Sequence, residues 1–302
     1  MENKKQHWIS QSYLEAWWDP DVPEGYDNYV WVYSSDGNIV KNKSPKNIFY
    51  ELDMYTIHLT DGTRVLDIEH GLSGLEGAFV EVRENVITKR KDLSLENRII
   101  VLAFMAASFS RTRLQRDHVK GQWREALDLM EEMDRFVEQA TSEQLENLAA
   151  LHVPSDGPKL SMSEVKRLAE NPLQETLISY IVTQTELFFP MNLRILCTEN
   201  DPGFITSDAP CVWYDPEAYN RSAFYRSPGL MFPKIEITLP ISPGYMAFLT
   251  WSTKINTYID VPDRVVDELN RRTRFFAEQY FVVRRQITKP IWFDPGKPPS
   301  QR

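Results

Sequence analysis

Residues 95–113 read LENRIIVLAFMAASFSRTR, and their apolar side chains follow two stripes at helical spacing. The two stripes consist of Leu95, Ile99, Leu102, Ala106 and Phe109, and of Ile100, Phe104 and Ala107. A helix that is apolar on two faces lies in the interior of a protein. Continued at the same spacing, the stripes reach Arg113 and Arg111, and a buried charge needs a partner. The stretch therefore predicts a central helix with two arginines near its end, for which Asp117 is a candidate partner.

A second helix is predicted just before it by one apolar stripe over 68–86. The stripe consists of Ile68, Leu72, Leu75, Phe79, Val82 and Val86. Three glycines interrupt this helix, and close packing of another backbone is the usual compensation for their low helix propensity. They are Gly71, Gly74 and Gly77. Along one flank of the stripe, Glu69, Glu76 and Arg83 recur every seven residues.

The rest of the chain adds strands on both sides of these helices. An Asp36-Gly37 turn between alternating segments predicts an N-terminal β-hairpin. Further helices are expected at 122–138 and from Asp263 to about Ala277, with a loop or hinge at 139–160. Strand-like runs are 192–197, 204–206, 211–214, 235–239, 245–250 and 280–283. This order predicts an α+β fold, with central helices and a mostly antiparallel C-terminal sheet, in one domain over 1–290 followed by a loose tail at 291–302.

Composition limits the classes of function. The formal net charge of −9 argues against strong non-specific binding of nucleic acid, because that binding needs clustered Lys and Arg. Two cysteines, Cys197 and Cys211, have no metal-ligand spacing and are expected to be buried free thiols. The sequence shows no apolar signal segment and no membrane span, so we expect a cytoplasmic protein.

The polar residues of greatest interest lie in constrained settings. Gly203–Pro210 is a short β-rich run that ends in Thr206-Ser207-Asp208 and is closed by proline, which restricts the backbone around it. Asp208 is a candidate general base or metal ligand, although a turn cap is the commonest role for Asp there. His7 is a candidate acid or base, against the alternative of a packing or surface histidine.

Two further groups extend this candidate site. Glu76 is a candidate metal ligand together with Asp208, against the alternative of a solvated helix flank. Arg111 and Arg113 suit the binding of phosphate or carboxylate, against a structural ion-pair network. Gln11, Ser207 and Asn270 complete the set of candidate binding residues. A divalent metal is therefore a candidate cofactor, although the sequence has no recognised metal or nucleotide motif.

Eight different short motifs follow one another along nearly the whole chain. They are HWISQSYL at 7–14, WVY at 31–33, FY at 49–50 with MYT at 54–56, the Glu69/Glu76 helix, ASFSRTR at 107–113, FITSDAP at 204–210, LPISP at 239–243, and LN at 269–270. Together they resemble the bacterial family named domain of unknown function 4238. Ser10 and Arg113 stand where that family tends to have proline. The resemblance implies a compact bacterial or phage-associated protein, and it implies that His7, Glu76, Arg111, Asp208 and Asn270 converge.

Three functions compete at this point. The first is a metal-assisted hydrolase of a phosphate-containing substrate, a nuclease or nucleotide hydrolase, acting as a toxin or phage-defence effector. His7 would then be the acid or base, and Arg111 would stabilise negative charge. The second is a non-catalytic module that binds or senses a small anionic ligand or nucleotide. The third is a protein-interaction protein with Trp17, Trp18 and Trp31 as anchors.

Overall fold

A computed structural model describes residues 4–59, 61–150, 160–222, 228–252 and 257–295. Within these residues the α-helices are α1 (Gln11–Leu14), α2 (Asp67–Val82), α3 (Leu95–Ser110), α4 (Arg113–Gln139), α5 (Ser142–Ala150), α6 (Met162–Glu170), α7 (Pro172–Phe188) and α8 (Asp263–Phe275). A π-helical turn, Arg83–Ile87, continues α2. No helix in this part of the chain is long and apolar enough to cross a membrane.

The strands form one larger sheet, one smaller sheet and two short pairs. They are β1 (Lys5–His7), β2 (Val30–Ser34), β3 (Val40–Lys43), β4 (Tyr50–Leu52), β5 (Ile57–His58), β6 (Arg64–Val65), β7 (Asn192–Cys197), β8 (Thr206–Ser207), β9 (Val212–Tyr214), β10 (Glu236–Ser242), β11 (Tyr245–Thr250), β12 (Tyr258–Asp260) and β13 (Tyr280–Val283). The larger sheet has the order β12-β7-β11-β10-β9 and is antiparallel except for the pair β12–β7. The α+β prediction, with its mostly antiparallel C-terminal sheet, is confirmed.

The smaller sheet pairs strands from the N-terminal and the C-terminal parts of the sequence. Its order is β3-β2-β13-β8, and β2–β3 is the hairpin predicted from Asp36-Gly37. Strand β13 lies between β2 and β8, so that Val282 is opposite Val32 on one side and opposite Thr206 on the other. This arrangement places the 204–210 segment beside the N-terminal hairpin.

The core around α2 and α3 is aromatic. Phe79 and Phe104 stack with ring centroids 3.8 Å apart and planes 7° apart, and the ring of Tyr13 lies 5.6 Å from Phe104. The buried centre of α3 agrees with its double stripe. Its first turn does not, because Leu95 and Ile99 are exposed.

One expectation about packing is wrong. The glycines of α2 are not sites of close backbone approach: a Cβ added at any of them meets nothing within 4 Å. These glycines are Gly71, Gly74 and Gly77. Asp117 pairs with Arg116, and Arg111 pairs with Glu76. Helix α3 ends at Ser110 and a new helix begins at Arg113, so the spacing of α3 does not continue.

Other segments also differ from expectation. The predicted loop at 139–160 contains α5, while residues 151–159 lie outside the described part of the chain. Trp292, in the segment expected to be loose, is fully buried, because a 3-10 turn at Pro290–Phe293 packs against α8. Cys197 and Cys211 are buried free thiols, as expected.

The chain divides into two compact units. The first contains residues 1–112 and 178–302 and holds every sheet of the described residues. The second contains residues 113–177, where α4 packs on α6. The prediction of one domain over 1–290 stays a prediction.

Candidate functional site

His7 is the last residue of β1, and its imidazole contacts the side chains of Tyr50 and Gln11. It is paired with Tyr50 of β4, and the two rings lie 5.6 Å apart. Ser10 then caps α1, which brings Gln11 back over the strand, and Gln11 Nε2 lies 3.3 Å from His7 Nδ1. This amide therefore governs which ring nitrogen carries the proton.

The electrostatic surroundings of His7 favour the neutral imidazole. Burial lowers its pKa below the usual 6.5, and the charges of Lys5 and Arg111 lower it further. The backbone of Lys46 and the carboxylate of Glu76 act in the opposite direction but do not reverse the shift. His7 Nε2 is buried and makes no hydrogen bond within the described residues.

Arg111 is the C-cap residue that follows α3, and its side chain is only 2% exposed. Its Nη1 donates to Oε1 of Glu76 at 2.5 Å, which joins the end of α3 to the middle of α2. Its guanidinium carbon lies 5.9 Å from the ring centroid of Phe104. The sequence predicts that Arg111 has a charged partner, and that partner is Glu76. One donor of the guanidinium, Nε, is buried and has no acceptor within the described residues.

The polar flank of α2 holds the N-terminal segment in place at three successive heights. Glu69 accepts a hydrogen bond from Gln6 Nε2 at 2.5 Å and pairs with Lys4 at 2.8 Å. Glu76 binds Arg111, and Arg83 donates through Nη1 to the backbone carbonyls of Ser12 and Tyr13, both at 3.2 Å. The alternative of a solvated flank is thus wrong, because these side chains make contacts with the segment 4–14 and with Arg111.

Asp208 has a different setting from the one its metal-ligand role would need. Its Oδ1 accepts the N–H of Glu278 at 2.8 Å, and its Oδ2 accepts those of Gln279 and Tyr280 at 2.7 and 2.9 Å. Burial raises the pKa of Asp208 to about 6, and these three donors act against that rise. The carboxylate therefore caps the backbone at the start of β13, about seventy residues further along the chain, and not the turn in which Asp208 itself lies.

Asn270 and Ser207 also serve the backbone. Asn270 Oδ1 accepts from the N–H of Ile205 at 3.0 Å, and its Nδ2 donates to the carbonyl of Gly203 at 2.8 Å. Gly203 has φ +75°, and a Cβ there would lie 2.0 Å from the carbonyl oxygen of Pro243, so no other residue fits without movement. Ser207 Oγ accepts from the N–H of Ala209 at 3.2 Å.

The expected convergence is therefore partial. His7, Gln11, Glu76 and Arg111 form one cluster, linked by direct contacts and by the charges that act on His7. Asp208, Ser207 and Asn270 form a second cluster around β8, and within the described residues no hydrogen bond or ion pair joins Asp208 to the first. Arg113 opens α4 in the second compact unit.

The donor set does not fit the metal site that the sequence suggested. Both oxygens of Asp208 already accept N–H groups, and Glu76 faces a guanidinium. In the part of the chain that the structure describes, no three His, Cys, Asp or Glu side chains are grouped as metal ligands.

Sequence reasoning did not identify two residues that build the site. Gln6 is 1% exposed, and its amide bonds Glu69, Thr56 Oγ1 and the N–H of Tyr55. Nothing in the sequence around Gln6 signals this role. Arg83 was visible through its seven-residue spacing from Glu76, but its targets are backbone carbonyls, which carry no sequence signal.

Comparison with known proteins agrees with this arrangement of motifs. The family model described as Protein of unknown function (DUF4238) matches residues 5–286. The chain belongs to this family. No curated protein and no solved structure matches it. The match to the DUF4238 family model includes both polar clusters, and its end at residue 286 falls just after β13, the last strand of the smaller sheet.

Proposed function

We propose that the protein is a hydrolase that acts on a phosphate-containing substrate at His7, Gln11, Glu76 and Arg111. The observation that supports this proposal most is a pair of buried nitrogens, His7 Nε2 and Arg111 Nε, that make no hydrogen bond within the described residues. Buried polar groups are nearly always bonded, so such exceptions call for an explanation, and an absent ligand is one. A guanidinium beside an imidazole suits the oxygen atoms of a phosphate.

Each residue has a role in this proposal. Arg111 binds the phosphoryl oxygens and stabilises the charge that develops on them, and Glu76 holds its guanidinium in place. His7 is neutral, and the amide N–H of Gln11 donates to its Nδ1, which leaves the ring proton on Nε2. This Nε2–H is available to donate a hydrogen bond to the oxygen that leaves the phosphorus.

The net charge of the chain limits the class of substrate. With a net charge of −9, the protein attracts a long polyanion poorly, which favours a nucleotide or a short structured RNA over duplex DNA. A nucleotide hydrolase or nuclease is the nearest class, and a toxin or phage-defence role would follow from it. Two free buried cysteines fit a reducing compartment such as the cytoplasm.

The test is hydrolysis by the purified full-length chain. Release of inorganic phosphate and of nucleoside products is measured with a nucleotide mixture and with a short RNA, with and without magnesium or manganese. His7→Asn and Arg111→Lys should each reduce turnover by at least about a hundredfold, the scale typical of an acid–base or charge-stabilising residue. The matched control is His70→Asn, because His70 is an exposed histidine of α2.

Two results count against the proposal. One is the absence of turnover by the wild-type protein with every substrate, and the other is full activity of folded His7→Asn. A second candidate, a non-catalytic module that binds a small anion, is favoured by the internal satisfaction of Asp208, Ser207 and Asn270. A thermal shift with nucleotides that depends on Arg111, without product, would support that module.

A further inference from the structure

The second half of α4 presents an apolar stripe to solvent. Leu129, Met133, Phe136 and Val137 are 58%, 54%, 46% and 49% exposed. Their spacing of three and four residues places them on one face of the helix. Four large apolar side chains on one exposed face form a patch of the kind that marks an interaction site.

The stripe continues a row, or seam, of helix positions that is buried nearer the start of α4. Ala126, Met130, Met133 and Val137 follow the alternating three- and four-residue spacing along which one helix packs on another. Val119, two turns earlier on the same seam, is buried. Helix α6 packs on α4 but has 9 residues against 27, so it is too short to cover the whole seam. The uncovered part therefore has the geometry that receives a second helix.

The charges beside the stripe define the partner. Between residues 128 and 138 there are five carboxylates and one arginine, Arg135. Glu132 and Asp134 lie one residue to either side of Met133 and so border the stripe on both flanks. A helix that packs there places its own flanking residues against carboxylates, and charge complementarity requires those residues to be lysine or arginine.

We propose that this stripe is a docking surface for a basic amphipathic helix of another protein. A second copy fits poorly, because pairing the exposed halves of two α4 helices sets carboxylate against carboxylate. The basic first half of α4, with Arg116, Lys120 and Arg124, would be complementary, but its seam is closed where Val119 is buried. The inference does not depend on the proposed hydrolase activity.

The probe is a synthetic amphipathic peptide of three heptads, with leucine at positions a and d and lysine at e and g. The matched peptide has glutamate at e and g. Binding to the full-length chain is measured by fluorescence anisotropy at low and high salt. The lysine peptide should bind at least about tenfold more tightly than the glutamate peptide, and salt should weaken its binding.

The variants separate the apolar stripe from its charged border. The double variant Met133→Gln/Val137→Gln keeps the charge and should weaken binding of the lysine peptide about tenfold or more. Glu132→Lys/Asp134→Lys should do the same while leaving the stripe intact. The control is Leu114→Gln, since Leu114 is 59% exposed on the same helix but away from the stripe. Circular dichroism checks that each variant is folded.

Three results would overturn the proposal. The first is failure of the lysine peptide to bind the wild-type chain. The second is equal binding to the wild-type chain and to Met133→Gln/Val137→Gln. The third is a wild-type dimer in sedimentation velocity that dissociates in this variant, because a second copy of the chain would then cover the stripe.

Discussion

Glu69 of α2 and Arg83, in the π-helical turn that continues α2, hold the two ends of the segment that carries His7. Glu69 binds the side chain of Gln6, just before His7, and Arg83 binds the carbonyls that follow Gln11. Within the part of the chain that the structure describes, the imidazole makes no hydrogen bond with α2, so the helix positions the ring through the residues on either side of it.

The first prediction follows from this attachment. Arg83→Ala should release the end of α1, expose the imidazole and raise the pKa of His7 towards 6.5, because burial is the main cause that lowers it. Proton NMR of the His7 ring across a pH titration measures the shift. The exposed change Glu81→Ala, on the same helix, should leave it unaltered, and an unchanged midpoint in Arg83→Ala would show that α1 stays in place without the arginine.

The same titration gives a prediction for stability. Because the folded pKa of His7 lies below its unfolded value, the neutral ring stabilises the fold above pH 6.5, and this contribution is lost as pH falls through the folded pKa. The free energy of unfolding should thus fall less between pH 7 and pH 5 in His7→Asn than in the wild-type chain. Urea unfolding at several pH values tests this, with His70→Asn as the control.

The ion pair between Glu76 and Arg111 gives the third prediction. Glu76→Ala leaves a guanidinium that is 2% exposed without its partner, and should cost about 3 kcal/mol of unfolding free energy. Replacing both residues by apolar ones, as in Glu76→Leu/Arg111→Met, should recover most of that loss. Urea denaturation measures both, and a double variant that is no more stable than Glu76→Ala would contradict the argument.

The cap formed by Asp208 gives the fourth. Asp208→Asn keeps the shape but replaces one accepting oxygen by an N–H₂ group that faces a backbone donor, and should cost about 2 kcal/mol. The exposed change Asp128→Asn is the control. Thermal and urea unfolding would measure the difference, and hydrogen exchange should localise the new exposure to residues 278–280.

The glycines of α2 give the fifth. Gly74 lies in an exposed helix interior, and a Cβ there meets nothing within 4 Å. Gly74→Ala should therefore stabilise the chain by up to about 1 kcal/mol. A melting temperature that stays constant or falls would contradict the argument, because it would show that this position needs glycine for a reason other than space for a Cβ atom.

The fold class could be read from the sequence because its evidence is local. The double stripe of α3, the Asp36-Gly37 hairpin and the runs at 192–197 and 245–250 each depend on neighbours within a few residues. The break between α3 and α4 was missed, because Arg111 leaves the helical conformation in a stretch whose residue types permit a helix.

The site was harder to predict because its evidence is distant in sequence. Asp208 could be recognised as a cap, but its target at 278–280 lies some seventy residues further on, and periodicity carries no information on such a pairing. Glu76 and Arg111 were both candidates, yet only the packing of α2 on α3 shows that each is the other's partner.

The position of β13 sets a condition on how the chain is made. Val282 pairs with both Val32 and Thr206, so the smaller sheet cannot close until residues 280–283 have left the ribosome. Until then the N-terminal hairpin has an unpaired edge, and pairings this distant form slowly. A nascent chain that stops before residue 280 would lack its central strand, and its open edge would be a target for chaperones and proteases.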